Sequence, residues 1–125
     1  MVPFAGWEMP VVYSSIIEEH QTVRKEVGIF DISHMGQVFV SGRSSTSWLN
    51  RMLGNDVTSL EVGNAHYTFL LNEEGGVIDD LILYRLGDTN YLLVVNASKT
   101  EEDLDWLQKH GEEEVEILND STEWA

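Results

Sequence analysis

Two adjacent carboxylates, Asp79 and Asp80, interrupt an apolar run, with Val77-Ile78 before them and Leu81-Ile82-Leu83 after. Side chains along a strand point alternately to opposite faces. Asp80 is therefore expected beside Ile78, Ile82 and Tyr84, and Asp79 beside Val77, Leu81 and Leu83. A carboxylate among apolar neighbours must reach solvent at the strand end, accept hydrogen bonds, or titrate above its ordinary range. Each outcome occurs where a carboxylate orients a substrate or balances a positive charge. An equally weighted alternative is an Asp that only accepts bonds from the amides of a nearby hairpin.

Other constellations carry less. A paired Asp raises the question of a divalent cation, but no His or further carboxylate stands at ligand spacing around Asp79-Asp80, so no metal is expected. His20, His34, His66 and His110 are scattered and form no ligand motif. Phosphate-loop, dinucleotide and nucleophile-elbow patterns are missing. Phe30-Asp31-Ile32-Ser33-His34-Met35-Gly36 is polar and flexible, and reads either as a ligand-facing connection or as a loop in which Asp31 or Ser33 caps local amides.

The elements that must position these residues follow from periodicity. Ser15 and Glu18 make a capping box, after which Ile16, His20, Val23 and Val27 fall on one stripe ending at Gly28, which predicts a helix over 15–27. Gln37 to Ser41 alternates as a strand. Ser44 or Ser45 then caps a helix presenting Trp48, Leu49, Met52 and Leu53, stopped by Gly54-Asn55-Asp56. His66 to Asn72 and Val77 to Leu86 read as strands joined across Glu73-Glu74-Gly75-Gly76, and Asp88-Thr89-Asn90 turns into a third, Tyr91 to Val95. Ser98 with Glu101 opens a helix whose Leu104 and Leu107 face inward, and Val115 to Leu118 is a last strand. The expected class is α+β: an antiparallel β-sheet with flanking helices.

Composition narrows the partners. The 125 residues carry 42% hydrophobic content, enough for one compact core, and no cysteine, so no disulfide or thiolate chemistry is available. A net charge of −15 opposes approach to a phosphate backbone or an anionic bilayer, so neither nucleic acid nor membrane is expected as a partner. The acids cluster at Glu18-Glu19, Glu73-Glu74, Glu101-Glu102-Asp103 and Glu112-Glu113-Glu114, which read as solvated turn and helix faces. With no run of about 18 apolar residues and no basic-then-apolar leader, the sequence reads as soluble and unsecreted. The expected location is the cytoplasm, or the mitochondrion in a eukaryote.

Four separated segments are more specific. They are Phe4-Ala5-Gly6-Trp7-Glu8-Met9-Pro10, Val23-Arg24 with Gly28 through Gly36, Gly76-Val77-Ile78-Asp79-Asp80-Leu81, and Val95-Asn96-Ala97-Ser98. In order and spacing this chain resembles the glycine-cleavage T-protein family. The resemblance implies an aminomethyltransferase that takes the aminomethyl group from the lipoyl arm of H-protein, releases ammonia and passes the one-carbon unit to tetrahydrofolate. It implies Asp80 as the catalytic residue beside the folate, with Met35, Tyr67 and Asn96 as folate contacts. It also implies that residues 1–125 are an incomplete N-terminal portion of the folate-binding region, with parts of two family domains. Family members are much longer and carry further site tyrosines, a glutamate and arginines downstream, and this chain stops at Glu123-Trp124-Ala125 directly after a turn, which reads as truncation. The alternatives are a non-catalytic folate-binding or regulatory relative, or an inactive folded fragment.

Overall fold

The computed structural model describes residues 1–123. Trp124, on which the reading of truncation partly rests, lies outside the described residues. Strands β1 (Val2–Phe4) and β2 (Trp7–Met9) pair as a small hairpin. It turns at Ala5-Gly6, both at positive φ, as the tightest right-twisting hairpin turns require. Helix α1 (Ile16–Lys25) follows, and the Ser15 side chain accepts the Glu18 N–H as expected. Its apolar stripe does not face inward, however: no residue of α1 is buried, and Ile16, Val23 and Val27 are all exposed. An amphipathic stripe calls for a partner layer without supplying one.

The core lies elsewhere. Strands β3 (Gly36–Ser41), β4 (Ala65–Leu71), β5 (Val77–Arg85), β6 (Asn90–Val95) and β7 (Glu116–Asn119) form one antiparallel sheet in the order β4-β5-β6-β3-β7. Helix α2 (Ser45–Met52) leaves β3, and helix α3 (Thr100–Lys109) carries the chain from β6 over β3 to β7. Because β3 separates β6 from β7, this is a split βαβ crossover. The expected α+β class is what the structure contains.

Alternation decides which side of the sheet is buried. Val38 and Val40, Thr68 and Leu70, Leu81 and Leu83, and Tyr91, Leu93 and Val95 point to one side, where Trp48, Leu49 and Met52 of α2 and Leu104 and Leu107 of α3 cover them. The Trp48 indole N–H donates to the His110 carbonyl at 2.7 Å, tying α2 to the end of α3. The opposite side carries Tyr67, Phe69, Ile82, Tyr84 and Leu118, all exposed. Among the described residues no helix covers it.

Three local expectations are corrected. The Ser98–Glu101 capping box does not form: Lys99 is the N-cap of α3 without a side-chain bond, and the Thr100 hydroxyl instead donates to the Asn96 carbonyl at 3.1 Å. Ser44 is the N-cap residue of α2, but neither serine side chain bonds the helix start, because Ser44 Oγ reaches Glu114 and Ser45 Oγ donates to the Thr89 carbonyl, both tertiary ties. A shift in register between Leu70, opposite Asp79, and Leu71, opposite Val77, leaves Ile78 as an extra residue. Ile78 therefore packs against the helix-side core while Val77 is exposed, so Ile78 does not share the face of Asp80.

Candidate functional site

From Asp79 onward β5 keeps its alternation. Asp80 points to the open side of the sheet with Ile82 and Tyr84, and Asp79 to the helix side, where it is 8% exposed. The two carboxylates thus leave the strand on opposite sides.

Each finds different partners. The Tyr67 hydroxyl, on the neighbouring strand β4, donates to Asp80 Oδ2 at 3.0 Å. Phe69, directly opposite Asp80, holds the Tyr67 ring edge-on at 5.3 Å between centroids. Asn96 follows the last residue of β6, and its Nδ2 donates to Asp80 Oδ1 at 3.2 Å, to the Asp80 carbonyl at 3.1 Å and to Asp79 Oδ1 at 2.9 Å. One amide with two hydrogens shared among three acceptors bridges both carboxylates. The Asn96 backbone N–H adds a bond to Asp79 Oδ2 at 3.4 Å.

Electrostatics fix the roles within this cluster. The hydrogen bond to Asp80 is the main reason that the Tyr67 phenol titrates above its ordinary value, with partial desolvation and the charges of Asp80 and Asp79 adding to it. Tyr67 therefore remains a proton donor at neutral pH, and the Asp80 carboxyl is held by two neutral donors, Tyr67 and Asn96. The alternative reading of the pair as an acceptor for hairpin amides is not what forms. Those amides, from Glu74 and Gly76, go to Asn72 Oδ1 at 3.0 and 2.7 Å.

Met35 is placed at the same end of the sheet by its position in the chain. Its N–H donates to the Ile32 carbonyl at 2.9 Å, and it leads directly into Gly36, which pairs with Val95, the residue before Asn96. Gly36 has a physical reason to be glycine, since an added Cβ would collide with Thr100 Oγ1 and sit 2.6 Å from a Val95 methyl. That close approach brings the start of α3 down onto the start of β3, beside the site. Within the preceding loop, Asp31 Oδ1 accepts the Ser33 N–H at 2.9 Å and its hydroxyl at 2.5 Å, which keeps the Asp31 carboxyl below its ordinary range. The capping expected of Asp31 in this loop therefore forms. A broad concavity lined by Trp7, Tyr13, His20, Val23, Phe30 and His34 lies beside α1, away from Asp80, and is the gap left beside a helix that buries nothing.

The sequence matches the family model described as the GCVT N-terminal domain over residues 1–125. The chain belongs to that family. It is 50% identical over 124 residues to an aminomethyltransferase of Geobacillus kaustophilus, covering 99% of this chain and 34% of that protein. Its fold matches the crystal structure of the glycine cleavage system aminomethyltransferase T from Bartonella henselae with a TM-score of 0.86 at 38% identity, over 94% of this chain and 33% of that one. The chain spans about a third of the length of these relatives. The family resemblance carried by the four sequence segments is thereby established.

One buried residue behind these carboxylates does not stand out in the sequence of this GCVT-family chain. Pattern groups Asp103 with Glu101 and Glu102 as a solvated acidic patch, yet it has no exposed surface. Its spacing holds the signal: Asp103 and Leu107 are four residues apart and lie on the same face of α3, the one that Leu107 buries. Burial, together with a hydrogen bond to Asp79 and the negative charges of Asp79 and Glu102, pushes the Asp103 carboxyl up to about 8, against a smaller opposing effect from Lys99.

Proposed function

We propose that this segment forms the folate-facing part of a glycine-cleavage aminomethyltransferase. The reaction takes the aminomethyl group carried on the lipoyl arm of H-protein, releases ammonia and delivers the one-carbon unit to tetrahydrofolate as substrate, giving methylenetetrahydrofolate. The observation that carries this reading is Asp80: a carboxyl group at the end of an open apolar sheet face, held in place by Tyr67 and Asn96. Its place in the reaction as the catalytic residue follows from charge. Transfer of an aminomethyl group develops positive charge on the one-carbon unit, and a fixed carboxylate lowers the energy of that charge without having to reorganise. Tyr67 and Asn96 keep Asp80 pointed at the folate, and Met35 lines the same end. The flat apolar face beside them, with Ile82, Tyr84 and Phe69, suits an aromatic pterin ring. No metal is needed for this chemistry, and the reaction belongs in the cytoplasm, or in the mitochondrion of a eukaryote.

A chimera tests the reading. Residues 1–125 would replace the matching third of the Geobacillus kaustophilus aminomethyltransferase, and ammonia release from aminomethyl-lipoyl H-protein would be measured with and without tetrahydrofolate. The expected result is release that depends on both partners, with methylenetetrahydrofolate formed in equal amount. A folded chimera that binds folate but transfers nothing would point instead to a non-catalytic folate-binding relative.

A further inference from the structure

Asp103 lies on the far side of β5 from the reacting face, with its two carboxyl oxygens wholly buried and meeting no N–H or O–H donor among the described residues. After burial itself, the carboxyl of Asp79, on the helix side of β5, is the group whose interaction most raises the Asp103 pKa, and it lies on the side of the sheet that α3 covers with its buried face. Two carboxylates repel, but a carboxyl and a carboxylate share a strong, short hydrogen bond. One proton between them gives a partner to an Asp103 oxygen that is otherwise left unsatisfied, which is costly for a buried charged group. Its location follows from the partners: Asp79 already accepts from the Asn96 backbone and side chain, whereas Asp103 accepts from nothing. The proton therefore sits on Asp103.

We propose that Asp103 is a positioning residue for the site: as a neutral acid it donates to Asp79, and the Asp79 carboxylate so fixed orients the Asn96 amide that grips Asp80. Three hydrogen-bonded links then run from α3 through the sheet to the reacting face. The first joins Asp103 to Asp79, the second joins Asp79 to Asn96 at 2.9 Å, and the third joins Asn96 to Asp80 at 3.2 Å. The groups facing Asp103 are Asp79 on β5 and Lys99 and Glu102 on its own helix. The last two pair with each other at 2.5 Å and so largely cancel. The upward shift of the Asp103 carboxyl is a consequence of this arrangement. Because this inference rests on the folate-facing reading only for its consequence in catalysis, its first test needs no substrate.

In the 125-residue chain, side-chain carboxyl NMR should show Asp103 keeping its proton at neutral pH and losing it near pH 8. The Asn96 side-chain amide signals should move with that same titration. Asp103→Asn, whose amide donates at every pH, should hold those signals in place across the range. Asp103→Leu, which fills the space without donating, should shift them even at neutral pH. In the chimera, Asp103→Leu should lower kcat on the order of a hundredfold, the penalty for misplacing a reacting geometry, and Asp103→Asn should restore it and remove the decline above about pH 8. An Asp103 carboxyl that titrates in the ordinary range, Asn96 signals that do not follow its titration, or Asn96 signals that still move near pH 8 in Asp103→Asn, would overturn the proposal even if Asp103→Leu fails to fold. Loss of transfer in the unsubstituted chimera with the NMR results intact would strike the functional reading alone.

Discussion

Asp80→Asn in the chimera is expected to lower kcat by on the order of a hundredfold to a thousandfold while changing folate affinity by no more than about threefold. The substitution keeps the size and an oxygen acceptor, so the Tyr67 hydroxyl retains a partner and the strand is undisturbed. The charge disappears, and the oxygen that becomes an NH2 can face the Tyr67 hydroxyl, which accepts as well as donates, while the other oxygen keeps the Asn96 amide. A charge that matters only as positive character develops is felt in the transition state and not in binding, which is the pattern of a loss in kcat with KM unchanged. The measurement is steady-state transfer to tetrahydrofolate beside a binding titration of the same preparations. Equal turnover by the two proteins would remove Asp80 from the mechanism, and a parallel loss of affinity and turnover would make it a binding residue.

The largest effect on stability is expected at Trp48. Its side chain is almost wholly buried between α2 and the sheet, and its indole N–H satisfies the His110 carbonyl. Trp48→Ala leaves a cavity and removes that bond, a loss of about 3–5 kcal/mol where domains of this kind hold about 5–15. Leu118→Ala, on the open face and more than half exposed, should cost less than about 1 kcal/mol. Urea denaturation of the 125-residue chain separates the two cases by their midpoints. Similar midpoints for both would mean that the helix side of the sheet is not the core.

Much of this arrangement is legible in the residues, for reasons that can be named. The three strands from His66 to Val95 show clear alternation with glycine- and Asn/Asp-bearing turns, and their period alone puts Asp79 and Asp80 on opposite faces. The bulge at Ile78 is not legible, because an extra residue inside an apolar run changes neither composition nor turn signals. The expected serine caps and the Glu101 box fail because a hydroxyl near a helix start has competing partners, here Glu114 and the Thr89 carbonyl, that only the tertiary fold supplies. The stripe of α1 is amphipathic as its spacing indicates but does not face inward, since periodicity states which face wants cover and not whether cover is there. Asp103 shows the opposite error: a charge run reads as solvated, although one of its members shares a helix face with Leu107.

The site itself is half legible. Asp80, Tyr67 and Asn96 follow from the family resemblance, and the fold brings these three into one hydrogen-bonded cluster at one end of the sheet. Their meeting depends on register: the diagonal from Tyr67, opposite Ile82, to Asp80, opposite Phe69, puts a long phenol within reach of the carboxylate. Asp79 has no role from sequence beyond its proximity, and its link through Asn96 appears only when β6 is laid beside β5.

The central claim is that tetrahydrofolate binds on the open face of the sheet at the Asp80 end. The most direct measurement is a methyl-labelled methionine NMR titration of the chimera with tetrahydrofolate. Met35 lies at the site end of β3, whereas Met52 lies in the core on the other side of the sheet and serves as an internal reference. A saturable shift of the Met35 methyl with Met52 unmoved is the expected result. A shift of Met52 without Met35, or no shift of Met35 at folate concentrations that saturate turnover, would contradict it.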